Sequence, residues 1–227
     1  MTKLFKMWKW MLFGILVVCI STSSAFAVQY TLTDGLAISR SMPPGYWNGG
    51  TFLVNDEFAT FCLERDEYFN WSVTYNGSIS DSAIRGGTNT DFGDPLDPKT
   101  AWLYTQFLNG VIGTNDSEKI ALQLAIWRIE EEFGNPDIFN FVYTEYGFLS
   151  QSIIDAANGY YLLSTSHGDF VGDIMVLNLY TGTNSSDPTS QNQSQLIRVP
   201  EPSTLLLLGA GLLGLGLLGR KKFKARG

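Results

Sequence analysis

The stretch N-D-S-E-K-I-A-L-Q-L-A-I-W-R-I-E-E-E-F-G at residues 115–134 carries start, stop and periodicity signals for a helix, so the rest of the chain must be built around it. Asn115 can cap the first turn, and Glu118 three residues on closes a capping box. Gly134 stands where a left-handed residue would end the helix. Ile120, Leu124 and Trp127 recur at helical spacing as one buried stripe, widened by Ile126, Ile129 and Phe133. Gln123 breaks the pattern. It lies one turn from both Ile120 and Trp127, so its carboxamide enters the apolar side of the helix, where an unpartnered amide costs about 1–3 kcal/mol. An ordinary hydrogen bond to a neighbouring strand would meet that cost, and so would chemistry with a second residue.

The two ends of the chain read as addresses. Lys3, Lys6 and Lys9, an apolar run at residues 11–20 and the small-x-small triplet Ala25-Phe26-Ala27 make residues 1–27 a secretory signal peptide, with the mature chain starting near Val28. A lipoprotein signal acylated at Cys19 is the competing reading, but Val18 precedes it where a small residue is expected. At the other end, Val199-Pro200-Glu201-Pro202-Ser203 is followed by a Leu/Gly/Ala-rich run at residues 204–219, then by Arg220, Lys221, Lys222, Lys224 and Arg226. The run is at the short limit for a transmembrane helix crossing a bilayer core of about 30 Å, and the basic cluster would stay cytoplasmic. These three elements, in this order at the end of a chain, resemble the PEP-CTERM sorting signal of exported proteins in Gram-negative bacteria that make exopolysaccharide. The resemblance implies exosortase as a processing partner acting near Pro200, Glu201 and Pro202. It further implies an inner-membrane-anchored intermediate and a final place at the cell surface, in the outer membrane or in the extracellular matrix.

Between the ends, residues 28–199 are enough for one domain with a proper core. Over residues 28–219, without the basic residues of signal and tail, seven Lys and Arg stand against 22 Asp and Glu, a formal charge of −15 that would repel phosphate backbones and argues against nucleic acid as a partner. The acidic groups Asp91, Asp94 and Asp97, or Glu64, Asp66 and Glu67, match no ordered calcium-loop spacing, so no metal site is assigned and no cofactor is called for. The order of textures is strands, helices, strands. Tyr30 and Leu32, residues 51–54, 58–63 and 71–75 read as strands, with Asn76-Gly77 and Pro43-Pro44-Gly45 as turns. Residues 81–96 read as a Gly- and Asp-rich surface loop. Helices follow from Asp97-Pro98 to Gly110, over 115–134, over 137–146 and over 150–163, the last interrupted by Asn158-Gly159. Strands return at 173–180 and, more weakly, at 193–199. The expectation is an α+β domain, an antiparallel sheet or sandwich with a helical subdomain inserted in or packed on it.

Cysteine arithmetic then isolates one residue. Cys19 leaves with the signal, so the mature chain has the single thiol Cys62, which cannot form an internal disulfide in an oxidising compartment. A thiol and a carboxamide held together in a dry site can condense with loss of ammonia, and an internal thioester between Cys62 and Gln123 would remove both anomalies at once. Phe61-Cys62-Leu63-Glu64 and Leu122-Gln123-Leu124-Ala125-Ile126-Trp127 are similar to the two halves of the thioester-domain signature of bacterial surface adhesins. Residues 100–107, T-A-W-L-Y-T-Q-F, resemble the preceding helix. That likeness implies Cys62 as thioester sulfur, Gln123 as acyl donor, Phe61 and Trp127 as flanking packing, and an amine-bearing target captured once rather than turned over. Two other readings stand beside it. Cys62 and Gln123 can be ordinary core residues of a non-covalent matrix module, or Cys62 can be a hydrolase nucleophile served by His167, the only histidine.

Overall fold

The computed structural model describes residues 28–37, 50–65, 67, 69–71, 73–84, 93–132, 149–170, 172–182 and 191–199, together with 209, 211 and 212. The signal segment, the Pro43-Pro44-Gly45 turn, Phe133 and Gly134, the expected helix at 137–146, Pro200, Glu201, Pro202 and the basic tail at Arg220, Lys221 and Lys222 lie outside those residues. So does nearly all of the apolar run at 204–219, and no helix among the described residues is long and apolar enough to cross a membrane.

The architecture is helices with antiparallel sheet. Strands β1 (Gln29–Ala37), β2 (Gly50–Val54), β3 (Phe58–Phe61), β4 (Thr74–Ser80), β7 (Ile174–Tyr180) and β8 (Gln191–Arg198) form one six-stranded sheet in the order β3-β2-β1-β4-β7-β8. Every pairing is antiparallel. β1 divides its length between two partners. Gln29, Tyr30 and Thr31 pair with β4, and from Leu32 onward the strand pairs with β2, so the sheet turns a corner along it. The two edge strands then meet. Cys62, just past β3, forms an antiparallel bridge with Gln195 of β8, Leu63 N–H donates to Ser194 O at 3.1 Å, and Thr60 Oγ1 donates to Leu196 O at 2.6 Å. The sheet is thus curled on itself along a seam at residues 60–64 and 193–196 rather than stacked as two layers. β5 (Ser82–Ala83) and β6 (Asp94–Pro95) make a small ribbon inside the stretch expected to be only a loop.

Among the described residues three α-helices belong to the domain: α1 (Pro98–Leu108) and α2 (Asp116–Ile129) pack on strands of the sheet, and α3 (Gln151–Ser164) packs mainly on α2. Asp97 caps α1, accepting from Lys99 N–H with Pro98 at the first helical position, where its missing N–H costs nothing. Asn115 caps α2 by accepting from Glu118 N–H, although Glu118 turns its own carboxylate to Thr114 N–H and hydroxyl instead of back to the cap residue. α2 is the axis of the molecule. Ala121, Leu124 and Trp127 join one apolar cluster with Leu32, Phe52, Tyr75, Leu177 and Leu179, while Leu122, Ala125, Ile126 and Ile129 join a second with Phe61, Leu103, Tyr104, Val176 and Leu196. The expected single stripe is therefore wrong. Residues 121–127 are all buried, because α2 runs between two cores, and Ile120 sits only at the margin.

α2 also ends before Gly134. Glu131 adopts a left-handed conformation, φ 57°, and Glu131 N–H and Glu132 N–H fold back to Arg128 O and Trp127 O. This is the Schellman arrangement with a glutamate where glycine is usual, at a cost of about 1–2 kcal/mol. The stop delivers Glu132 into the interior, where its carboxylate accepts from Arg65 N–H at 2.9 Å.

Two local expectations fail for tertiary reasons. Asn158-Gly159 does not interrupt α3, which runs unbroken through both. Asn76-Gly77 is no turn but lies inside β4, whose span begins at Thr74 rather than at residue 71. A Cβ on Gly77 would fall 2.4 Å from Tyr30 Cε2 and 2.8 Å from Leu177 Cδ1, so the glycine makes room for the Tyr30 ring crossing the strand. Gly77→Ala should therefore lower stability by about 1–3 kcal/mol through overpacking, read as a fall in denaturant midpoint; an unchanged midpoint would refute the account.

Candidate functional site

Cys62 and Gln123 meet at the seam. Cys62 has a non-hydrogen-bonded relation to β8, since the rung is closed by its neighbour Leu63, so its own N–H and C=O point away from that strand. They point at Gln123. Cys62 N–H donates to Gln123 Oε1 at 3.2 Å, and Gln123 Nε2 donates to Cys62 O at 2.8 Å. Gly50 N–H, at the start of β2, donates to the same Oε1 at 3.4 Å. The β2–β3 ladder closes at Thr51 opposite Phe61, and the carboxamide occupies the place of the next rung. In this way α2 is pinned to two strands by one side chain.

The thiol completes the group, with Cys62 Sγ donating to Gln123 Oε1 over 3.3 Å. Both residues are 0 % exposed. The carbonyl oxygen of Gln123 thus collects three donors, two of them backbone N–H groups fixed by strands, which is the geometry that polarises an acyl carbon and stabilises a tetrahedral oxyanion. Gly50 holds φ 137°, a conformation that suits a residue without Cβ, so its identity follows from the need to aim that N–H. Burial, then the Glu64 carboxylate, push the thiol well above its ordinary range.

Buried carboxylates lie along the seam and past the end of α2. Glu64 is buried, accepts Ser194 N–H at 2.7 Å through Oε2, and is pushed well above the carboxylate range by burial and then by Glu67. Glu130 is buried beyond the end of α2 and accepts Asp97 N–H at 3.3 Å. Burial raises it to about 8. On β8, Gln193 Nε2 donates to Glu64 O and Ser194 Oγ to Asn178 Oδ1, while Gln195 is fully buried and neither of its side-chain polar atoms has a hydrogen bond.

Of the flanking residues, Phe61 lies in the second core, edge-on to Phe107 at 4.9 Å, and Trp127 in the first core beside Cys62. His167 stacks on Trp102 of α1 with ring centroids 3.8 Å apart, whereas the Cys62 thiol bonds to Gln123. Val199 N–H donates to Asp173 O at 2.8 Å, directly after β8. Gly50, Gln195, Glu130 and Glu132 escaped sequence reasoning. Only the placing of Glu132 had a local signal, the run of three glutamates after Ile129, and its meaning depended on where the helix stopped.

Compared with known families, residues 198–222 match the PEP-CTERM protein-sorting motif. No curated protein and no solved structure matches the chain. The chain therefore carries a sorting signal that implies export, processing by exosortase and membrane-linked sorting to the cell surface. The motif starts at Arg198, the last residue of β8, so folded domain and signal are contiguous. It bears on the tail alone, and no family match covers residues 58–127.

Folded Glu130 keeps its proton up to about pH 8, and the unfolded chain releases it near 4.5. Across that window folding takes up a proton, so stability falls as pH rises, by on the order of 1 kcal/mol per pH unit. Denaturant midpoints measured from pH 5 to 8 should fall in the wild type and fall less steeply in Glu130→Gln.

Proposed function

We propose that this is an exosortase-sorted surface or matrix protein in which Cys62 and Gln123 form an internal thioester that captures an amine on its target. The observation that carries the reading is the convergence of a buried lone thiol and two backbone N–H groups on one buried carboxamide oxygen. In forming the bond, Cys62 sulfur adds to the Gln123 carbonyl carbon, the thiol proton passes to the amide nitrogen, and ammonia leaves. Gly50 N–H and Cys62 N–H hold the oxyanion between those steps. In capture, an amine adds to the same carbon, the C–S bond breaks, the sulfur takes back a proton, and an amide joins Gln123 to the target. The raised thiol favours a protonated sulfur, which makes proton return part of the opening step. Exclusion of water protects the bond until an amine enters. The acidity of the mature domain draws protonated amines toward it at range.

The well-partnered state of Gln123 favours a second reading, a non-covalent matrix module in which the carboxamide only pins α2 to the sheet. Intact mass decides between them. Residues 28–199 expressed in the periplasm should weigh one ammonia less than the sequence, and methylamine should add to Gln123. Cys62→Ala should have the full mass and capture nothing. A full-mass wild type with a titratable thiol would leave the non-covalent module.

The tail reading has its own test. Replacing Pro200, Glu201 and Pro202 with alanine in a host with exosortase should leave the domain folded and shift the protein from the surface fraction to the inner membrane. An unchanged distribution would refute exosortase processing at that point.

A further inference from the structure

The reacting oxygen at the Cys62–Gln123 contact is held by fixed donors, and the reacting nitrogen has one acceptor, Cys62 O. An amine that adds to the acyl carbon brings further N–H groups and becomes positively charged as it does so. In a site closed to water these need a polar acceptor, or the addition pays the full penalty of a buried unpaired donor.

One side chain fits that need. Gln195 stands directly opposite Cys62 across the seam, and residues so paired project to the same face of a sheet with Cβ atoms about 4.5–5.5 Å apart. Leu177, its partner on β7, belongs to the same apolar cluster as Cys62, Leu124 and Trp127, which places the Gln195 carboxamide on the inner face beside the thiol. It is 0 % exposed, and neither Nε2 nor Oε1 is hydrogen-bonded. Its two predecessors on β8, Gln193 and Ser194, are also buried and both are bonded. An idle amide here costs about 1–3 kcal/mol that a leucine or methionine would not, and buried polar groups without partners are few in folded proteins.

We propose that Gln195 is the amine-receiving residue of the site: its Oε1 accepts an N–H of the attacking primary amine and holds that nitrogen against the Gln123 acyl carbon. The inference rests on the thioester reading and adds its nucleophile selectivity. Because the acceptor is neutral, it takes an uncharged primary amine on a slender stem, as in a lysine side chain. Water, smaller and able to use Cys62 O alone, gains less from it. Gln195 forms no bond to the acyl group, and the atoms exchanged remain those of amine, Cys62 and Gln123.

The test uses residues 28–199 of the wild type, Gln195→Met, which keeps the length without the polar atoms, and Gln195→Glu, which keeps an acceptor. Mass spectrometry follows methylamine capture and, separately, hydrolysis of the thioester in buffer. Gln195→Met should still lose one ammonia and keep or raise the denaturant midpoint. It should capture methylamine about tenfold or more slowly while hydrolysing at a rate within about threefold of wild type. Gln195→Glu should capture faster than Gln195→Met. Capture by Gln195→Met within about twofold of wild type, or equal slowing of capture and hydrolysis, overturns the role given to Gln195 and leaves the thioester standing. Should Gln195→Met fail to fold, the decision falls to Gln195→Glu, whose amine-to-water preference must stay within about threefold of wild type, a fall to about a tenth overturning the role. A wild type of full mass overturns the thioester reading itself, and this inference with it.

Discussion

One carboxamide ties the central helix to the sheet. Gln123 sits in the stretch of α2, residues 121–127, that is buried on every side, and its amide is paired with the main chain of Cys62 as a neighbouring strand would be, with Gly50 adding a third bond. Removing it would leave Gly50 N–H and both main-chain polar groups of Cys62 without that partner in a dry interior, each at a cost of the order of 1–3 kcal/mol. The position of α2, and with it the division of the interior into two cores, depends on this rung. The same rung is what sets a thiol beside an acyl carbon. The fold and the proposed thioester would therefore share their atoms, and a substitution at Gln123 would act on both.

The closing of the sheet has the next largest influence. β3 and β8 are edges, and an exposed edge invites pairing with foreign strands. Their meeting at Cys62 and Gln195, backed by the Thr60 and Leu63 hydrogen bonds, removes that exposure over the seam and turns the residues there inward. It also explains why so many polar side chains lie buried together. Glu64, Gln193, Ser194 and Asn178 bond to one another and to main chain along the seam, where two strands meet over a few residues and side chains supply the remaining bonds.

The sequence was informative where signals are local. Asp97-Pro98 and Asn115 mark their helices correctly, and 51–54, 58–63 and 173–180 stand out as β by composition alone, each within two residues of the strand found. The lone mature thiol and the amide among apolar residues also drew attention to Cys62 and Gln123 without any knowledge of distance. What stayed hidden depends on contacts far apart in the chain. Asn76-Gly77 looks like a turn because the Tyr30 ring that needs the glycine is 47 positions away, and nothing near Gln195 says that it will face Cys62. Gly134 is a better helix stop than Glu131 by intrinsic preference; the earlier stop brings Glu132 to Arg65 N–H. Gly50 is one glycine of 23 until its φ and its hydrogen bond are known.

The strand that closes the seam is also the strand from which the sorting tail departs. Any pull on an anchored tail enters the domain at Val199 and Arg198, held there by Asp173 through a main-chain bond and an ion pair, and travels along β8. β8 pairs with β7 along most of its length, across one irregularity between Leu177 and Leu179, and only through a few bonds with β3, so tension loads the weaker seam early. A covalent link between Cys62 and Gln123 would join β3 to α2 and leave β8 outside the closed loop. With the proposed thioester in place, the wall over the thiol would be the part that moves under load, the bond behind it would not be stretched, and the exposure of the acyl group would become a mechanical variable set by how firmly the protein is tethered.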